Sequence, residues 1–362
     1  PNQRVMLKSS FQDSACMDLQ ATAIYKASSD GYFKASSQRP ESGTFDASDA
    51  MGFVWGALGT TGFPPGPAYT NPPPITITAT DAADHRVLAT AQIDLTFLSD
   101  TTQRIDVREE GLIGTFFIPK STGPIPAVLV LGGSEGSLNY VMERTAALFA
   151  SHGFAALALA YFGTGKLPST LARIPLEYFE TAIGWLKSQP GVDPDRLGVM
   201  GTSRGGELAL LLGSMFDDLK AVVSYVGSGY VIGGLSEVGA PAWTWKGKPV
   251  PFLTEALYRS GKMESVEIPV EKINGPVLLV SANADEIWQS TPLSRAAWDR
   301  LRRLGHPFAD QFLTFPGAGH MIFPPYLPLT GTIANDPVAQ QAADVGAWRA
   351  TLQVFASRLK YG

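Results

Sequence analysis

Five short runs, "AVLVLGG", "FAALALAYF", "RLGVMG", "AVVSYVG" and "GPVLLVSANAD", are apolar almost without interruption and recur between residues 127 and 285. A strand that alternates apolar and polar residues keeps one face wet, whereas a strand apolar at nearly every position must be covered on both faces. The cover is encoded between the runs. "VMERTAALFASHG", ending at Gly153, "PLEYFETAIGWLKSQP" and "GELALLLGSMF" carry the helical period. Strands and helices in alternation predict a mostly parallel sheet with helices on both faces, an α/β domain assigned to 104–362.

The first hundred residues follow another rule. "CMDLQATAIYKA", "ITITATDA" and "VLATAQIDLTFL" alternate with period two and are separated by turn clusters such as "SSDGY" and "RPESGTF". They predict a small all-β sandwich over 1–103. The proline-rich "GFPPGPAYTNPPP", residues 62–74, cannot enter a helix or a central strand and reads as a surface connection. A chain of 362 residues accommodates both domains. Residues 228–274 lack either period and are rich in Gly, Pro and Trp, which predicts a lid-like insertion near the carboxyl ends of the strands.

Charge and composition exclude several partners. A net charge of −5, with no Lys/Arg block, gives no field for a phosphate backbone, so nucleic acid is not expected. No apolar run reaches the roughly eighteen residues of a membrane span. The single cysteine, Cys16, cannot form an internal disulfide or a thiolate metal site and reads as a small buried side chain. The chain opens on Pro1, so a leader has been removed or numbering starts inside the gene product; the expected location is the cytoplasm.

Between the strand "RLGVM" and the helix "LALLLGSMF" stands "GTSRGGE", residues 201–207. Its G-x-S-x-G spacing fits a nucleophile elbow, in which Ser203 occupies a tight strand-to-helix turn and Gly201 and Gly205 leave room for it. The following helix points its positive end at Ser203; beyond favouring that end, Glu207 has no evident role. An acid and a base should follow in that order, each on a loop after a strand. Asp285 in "VSANADEIW" fits the acid, with Glu286 as the alternative, and His320 in "FPGAGHMIF" fits the base. The remaining histidines, His85, His152 and His306, read as surface or capping residues. For an oxyanion the first donor is the N–H of Arg204, and the second comes from "LGGSEG", at Ser134 or Gly133. A phosphate loop is the rival reading of that segment, but it lacks the Lys of a P-loop and any G-x-G-x-x-G pattern.

Longer stretches carry a family likeness. "YFGTGKLPSTLARIPLEYFETAIGWLKSQPGV", "GVMGTSRGGELALLLGSM", "IPVEKINGPVLLVSANADEIWQS" and "FPGAGHMIFPPYLP" resemble the type I acyl-CoA thioesterases and bile acid-CoA:amino acid N-acyltransferases. So does the N-terminal region, in "AIYKASSDGYF" and "SGTFDASDAMGFVWGAL". The resemblance implies an Ig-like β-sandwich ahead of an α/β-hydrolase domain, with this chain starting inside the sandwich. It implies acyl transfer from a thioester carried by CoA or a carrier protein, without a metal or other cofactor. The nucleophile then maps to Ser203, the base to His320, and the acid to Asp285, three residues before a tryptophan, rather than Glu286. Serine at the nucleophile favours hydrolysis, since the amino-acid-conjugating branch carries cysteine there. Acyl transfer to an amine or hydroxyl, general ester hydrolysis, and a silent binding protein are the alternatives. Trp243, Trp245, Phe252 and Tyr258 either line an apolar acyl pocket or anchor the insertion.

Overall fold

The computed structural model describes residues 2–12, 18–58, 74–237, 239–327 and 336–361. Cys16 and the proline-rich stretch up to residue 73 lie outside them.

Five N-terminal strands, β1 (Arg4–Gln12), β2 (Asp18–Lys26), β3 (Ser42–Gly43), β4 (Ile75–Asp81) and β5 (Val87–Ile93), form one antiparallel sheet in the order β3-β2-β1-β4-β5. Alternation sets its register: Val5 faces Tyr25 and Leu7 faces Ala23, and β2 buries Leu19, Ala21, Ala23 and Tyr25 while the intervening side chains are more exposed. The described residues give one sheet where two stacked sheets are expected. Its apolar face is covered by the short helix α1 (Gly52–Trp55) and an aromatic cluster in which Phe45 meets Phe53 and Trp55 edge-on, at 5.1 and 5.5 Å.

The second sheet has eight strands: β6 (Thr102–Val107), β7 (Ile113–Pro119), β8 (Ile125–Leu131), β9 (Ala155–Ala160), β11 (Val192–Thr202), β12 (Leu219–Tyr225), β15 (Val277–Ala282) and β16 (Gln311–Phe315). Their order is β6-β7-β9-β8-β11-β12-β15-β16, parallel from β9 to β16. The hairpin β6–β7 adds the antiparallel edge. The border predicted between 103 and 104 therefore falls inside a strand. β6 pairs along its whole length with β7, so the second sheet begins at Thr102.

Helices cover both faces. α3 (Glu177–Ser188), α4 (Arg204–Met215) and α6 (Ser290–Arg303) pack on one side, against a core that includes Phe116, Leu129, Leu157 and Val199. On the other side α2 (Tyr140–Ser151) and α7 (Pro337–Phe355) enclose Val128, Phe149, Phe154 and Phe355. The insertion is tied down rather than loose. β13 (Trp243–Trp245) runs parallel to β10 (Ile174–Pro175) and antiparallel to β14 (Lys248–Pro249), and α5 (Glu255–Ser260) follows, capped by Thr254 and stopped by left-handed Gly261. Among the described residues no helix is long and apolar enough to cross a membrane.

Candidate active site

Strand β11 ends at Thr202 and α4 starts at Arg204, so the whole turn is one residue, Ser203, at φ 58° and ψ −120°. A side chain other than glycine's at positive φ is strained and persists only where its surroundings hold it. Here the Ser203 N–H donates to Tyr225 O at 2.8 Å, and its carbonyl accepts from Gly206 and Glu207 N–H at 2.9 and 3.1 Å. The turn also needs empty space on both sides. A Cβ on Gly201 would stand 1.9 Å from Gly205 O, one on Gly205 would stand 2.2 Å from Gly132 O, and one on Gly206 would stand 2.8 Å from Tyr225 O.

The fold brings the three predicted residues together. His320 Nε2 lies 3.0 Å from Ser203 Oγ, and its Nδ1 lies 2.9 and 2.8 Å from the two carboxylate oxygens of Asp285. Asp285 Oδ1 accepts from the N–H groups of Ile287 and Trp288, and Oδ2 from that of Ser290. Burial pushes this carboxyl up, but the hydrogen bonds from His320 and Ser290, with the imidazole's charge, outweigh it and bring the pKa to about 2. Asp285 therefore stays ionised and can hold Nδ1–H toward itself, leaving Nε2 to face the hydroxyl. Glu286 is in reach but differently used: its Oε2 accepts the backbone N–H of His320 at 3.3 Å.

The "LGGSEG" loop lies against the nucleophile, for a Cβ on Gly133 would stand 3.1 Å from Ser203 Cβ. The Arg204 N–H, in the first turn of α4, has no acceptor inside the helix. Gly133 N–H already donates to Glu135 Oε1 at 3.0 Å. Ser134, the other residue expected as the second donor, lies in the exposed part of the loop. Tyr161, at the end of β9, secures the loop from below: its hydroxyl lies 2.7 and 3.0 Å from the carbonyls of Gly132 and Gly133. Sequence reading missed Tyr161, whose only signal is its place after the apolar run "AALALA".

The four aromatic residues of the insertion separate. Trp243 is fully buried against Tyr161 and Phe179, and its indole N–H donates to Glu207 Oε1 at 2.9 Å. Trp245 packs edge-on against Phe216 beyond the far end of α4, and a 12-residue helix puts that end about 18 Å from Ser203. Phe252 packs against Gly233 within the insertion itself. Only Tyr258 of the four lines the cavity of about 700 Å³ that Asp285, Trp288, Tyr230 and Leu253 also line. Trp243, Trp245 and Phe252 are not among the residues that line it.

The other histidines also resolve. His85 is exposed at positive φ, and His152 follows α2 with Nδ1 2.8 Å from Leu148 O. The His306 side chain is buried, contrary to a surface or capping role, and Asp310 and the carbonyl of Ile273 hold its two ring nitrogens at 2.7 and 2.8 Å. No group of three or more acidic, His or Cys side chains suited to a metal occurs among the described residues.

Comparison with known proteins now adds a lineage. Residues 1–109 match the acyl-CoA thioester hydrolase/BAAT N-terminal region, and residues 174–360 match the BAAT/acyl-CoA thioester hydrolase C-terminal region. The chain belongs to the acyl-CoA thioester hydrolase/BAAT family. Within the family it is 29% identical to the peroxisomal succinyl-coenzyme A thioesterase of Mus musculus, over 99% of this chain and 91% of that protein. It is 33% identical to acyl-coenzyme A amino acid N-acyltransferase 1 of Mus musculus, over 75% of this chain and 69% of the relative. Among solved structures, a Klebsiella pneumoniae protein named as a dienelactone hydrolase superposes with a TM-score of 0.51 at 17% identity, covering 70% of this chain and 98% of its own, a likeness of α/β-hydrolase fold alone. Family membership does not carry the expected cytoplasmic location, since relatives are named for the peroxisome and the mitochondrion.

Proposed function

We propose that this protein is a serine hydrolase that cleaves acyl-CoA thioesters through an acyl-enzyme. The observation that carries the reading is the contact between His320 Nε2 and Ser203 Oγ at 3.0 Å, with Asp285 on the far nitrogen, in a member of this family. As Ser203 Oγ bonds to the thioester carbonyl carbon, its proton passes to His320 Nε2. The N–H groups of Arg204 and Ser134 meet the oxygen that becomes negative, and the positive end of α4 adds to them. Collapse breaks the C–S bond, and the departing thiolate takes the proton from Nε2. Water then repeats the sequence on the Ser203 ester and releases the carboxylic acid. Asp285 stabilises the imidazolium in both steps. The cavity beside Asp285 is of mixed character, lined by Leu253, Tyr258 and Trp288 together with Glu286 and Gln289.

A second reading, transfer of the acyl group to an amine, is favoured by the 33% identity to an N-acyltransferase. Turnover of an acyl-CoA chain-length series, with and without glycine or taurine, separates the two. Free thiol and free acid in equal amounts, with no N-acyl product, are expected. Dominant N-acyl product would make the protein a transferase, and p-nitrophenyl esters hydrolysed with no preference for CoA would make it a general carboxylesterase. Failure of a fluorophosphonate to label Ser203 would leave a binding protein.

A further inference from the structure

Glu207 is fully buried one turn into α4 and belongs to a network that the chemistry above does not use. Its Oε2 lies 3.2 Å from Arg204 Nε. Its Oε1 accepts from the N–H of Ile232 at 3.1 Å and from the indole of Trp243 at 2.9 Å. The Arg204 guanidinium returns to the same place, donating to Ile232 O at 3.0 Å. The ion pair therefore grips both backbone groups of one residue of the insertion. Trp243 then rests on Tyr161, with ring centroids 5.9 Å apart, and the Tyr161 hydroxyl reaches the carbonyls of Gly132 and Gly133. Burial holds the Tyr161 phenol well above its usual pKa, so the proton that bonds these carbonyls is retained.

Followed end to end, the contacts join the residue after the nucleophile to the loop on its other side without passing through Ser203. The two ends are the two sides of the oxyanion site in the proposed reaction. We infer that Glu207, Trp243 and Tyr161 are positioning residues that set the separation between the Arg204 N–H and the Gly133–Ser134 loop. This rests on the serine-hydrolase reading. It gives the insertion a part in catalysis without substrate contact: Trp243, buried away from solvent, is a strut. Oxyanion donors act through fixed placement, and a displacement of about 1 Å can cost on the order of 10²-fold in rate.

The test is Trp243→Phe, which keeps an aromatic ring on Tyr161 and removes the N–H from Glu207. Phe179→Leu is the control for packing alone, because Phe179 packs on both the indole and the Tyr161 ring but makes no hydrogen bond in the network. Steady-state turnover of the best acyl-CoA is measured beside inhibition by an acyl trifluoromethyl ketone, whose adduct with a serine places an oxyanion in the hole. Trp243→Phe is expected to lower kcat about 10- to 100-fold with KM within about twofold. The inhibition constant of the ketone should rise by a factor similar to the loss in kcat/KM. Phe179→Leu should lower the melting temperature with little change in either. If Trp243→Phe does not accumulate folded, Tyr161→Phe, which removes one hydroxyl from the other end, should give the same signature. Wild-type kcat in the folded variant, unchanged ketone inhibition beside a reduced kcat, or equal kcat loss in Phe179→Leu would each overturn the inference. A wild-type protein with no acyl-CoA turnover would instead sink the functional reading and this inference with it.

Discussion

Gln340 holds the polypeptide on both sides of His320: its Oε1 accepts the N–H of Gly319 at 3.0 Å, and its Nε2 donates to Met321 O at 2.9 Å. One buried side chain at the start of α7 thus pairs with the loop as a neighbouring strand would. The loop is pinned again when Asp344 Oδ1 accepts the N–H of Phe323 at 3.0 Å, and when Glu286 accepts that of His320 itself. Gln340→Ala should free the loop and lower kcat by roughly 10- to 100-fold, with KM little changed. The downfield proton of the His320–Asp285 hydrogen bond should broaden in the NMR spectrum. Undiminished kcat and a sharp resonance would show that the loop needs no such grip.

Asp285 links the proposed reaction to acid stability. Its folded-state pKa of about 2 lies below the ordinary carboxylate value, so the stability it contributes is present above the unfolded pKa, near 4, and is lost as pH falls toward 2. Its side chain is fully buried, and a carboxyl held that far below its ordinary value corresponds to about 2 kcal/mol. Asp285→Asn should reduce kcat about 10⁴-fold. In urea titrations between pH 7 and pH 2.5 the wild type should lose more stability than the variant, and parallel curves would contradict the assignment.

The glycines divide by what surrounds them. At Gly201 and Gly205 the obstructing atoms are backbone carbonyls, which cannot rotate away, so alanine at either should cost on the order of 3 kcal/mol or more, or prevent folding. Gly184, exposed within α3, has nothing within 4 Å of the place an alanine methyl group would take. Gly184→Ala should stabilise by up to about 1 kcal/mol through helix propensity. Thermal melts of the three variants check both halves, and a tolerated Gly201→Ala would refute the packing of the turn.

How far sequence reading reached follows the range of the forces involved. The parallel strands, and the meeting of Ser203 with His320 and a carboxylate, were legible because apolar runs, strand ends and the G-x-S-x-G spacing are local signals, while the choice of Asp285 over Glu286 rested on the family likeness. What escaped depends on partners far along the chain. The polar stretch "TQRIDV" gave no sign that it pairs with β7. Glu207 had no role until Trp243, 36 positions on, supplied a donor. The aromatic insertion suggested a pocket because composition cannot tell a lining ring from a supporting one; Tyr161 and Phe179, packed on Trp243, decide that. His306 read as a surface or capping residue because the burial of its side chain depends on Ile273, 33 positions earlier.

Asp344 offers a prediction of opposite sign to that for Asp285. It is buried, and burial pushes its carboxyl well above the usual range although bonds from Phe323 N–H and Gln340 pull the other way. A folded-state pKa above the unfolded one means stability that is complete below the unfolded value, near 4, and falls as pH rises through the folded one. Asparagine resembles the protonated acid: it keeps the Oδ1 that accepts from Phe323 and Gln340 and carries no charge. Asp344→Asn should therefore be more stable than the wild type at pH 8, with a difference that shrinks toward pH 4. Urea midpoints at the two pH values measure this directly. A difference independent of pH would mean that Asp344 binds its proton equally in the folded and unfolded chains, and that its burial is offset by bonds stronger than the geometry provides.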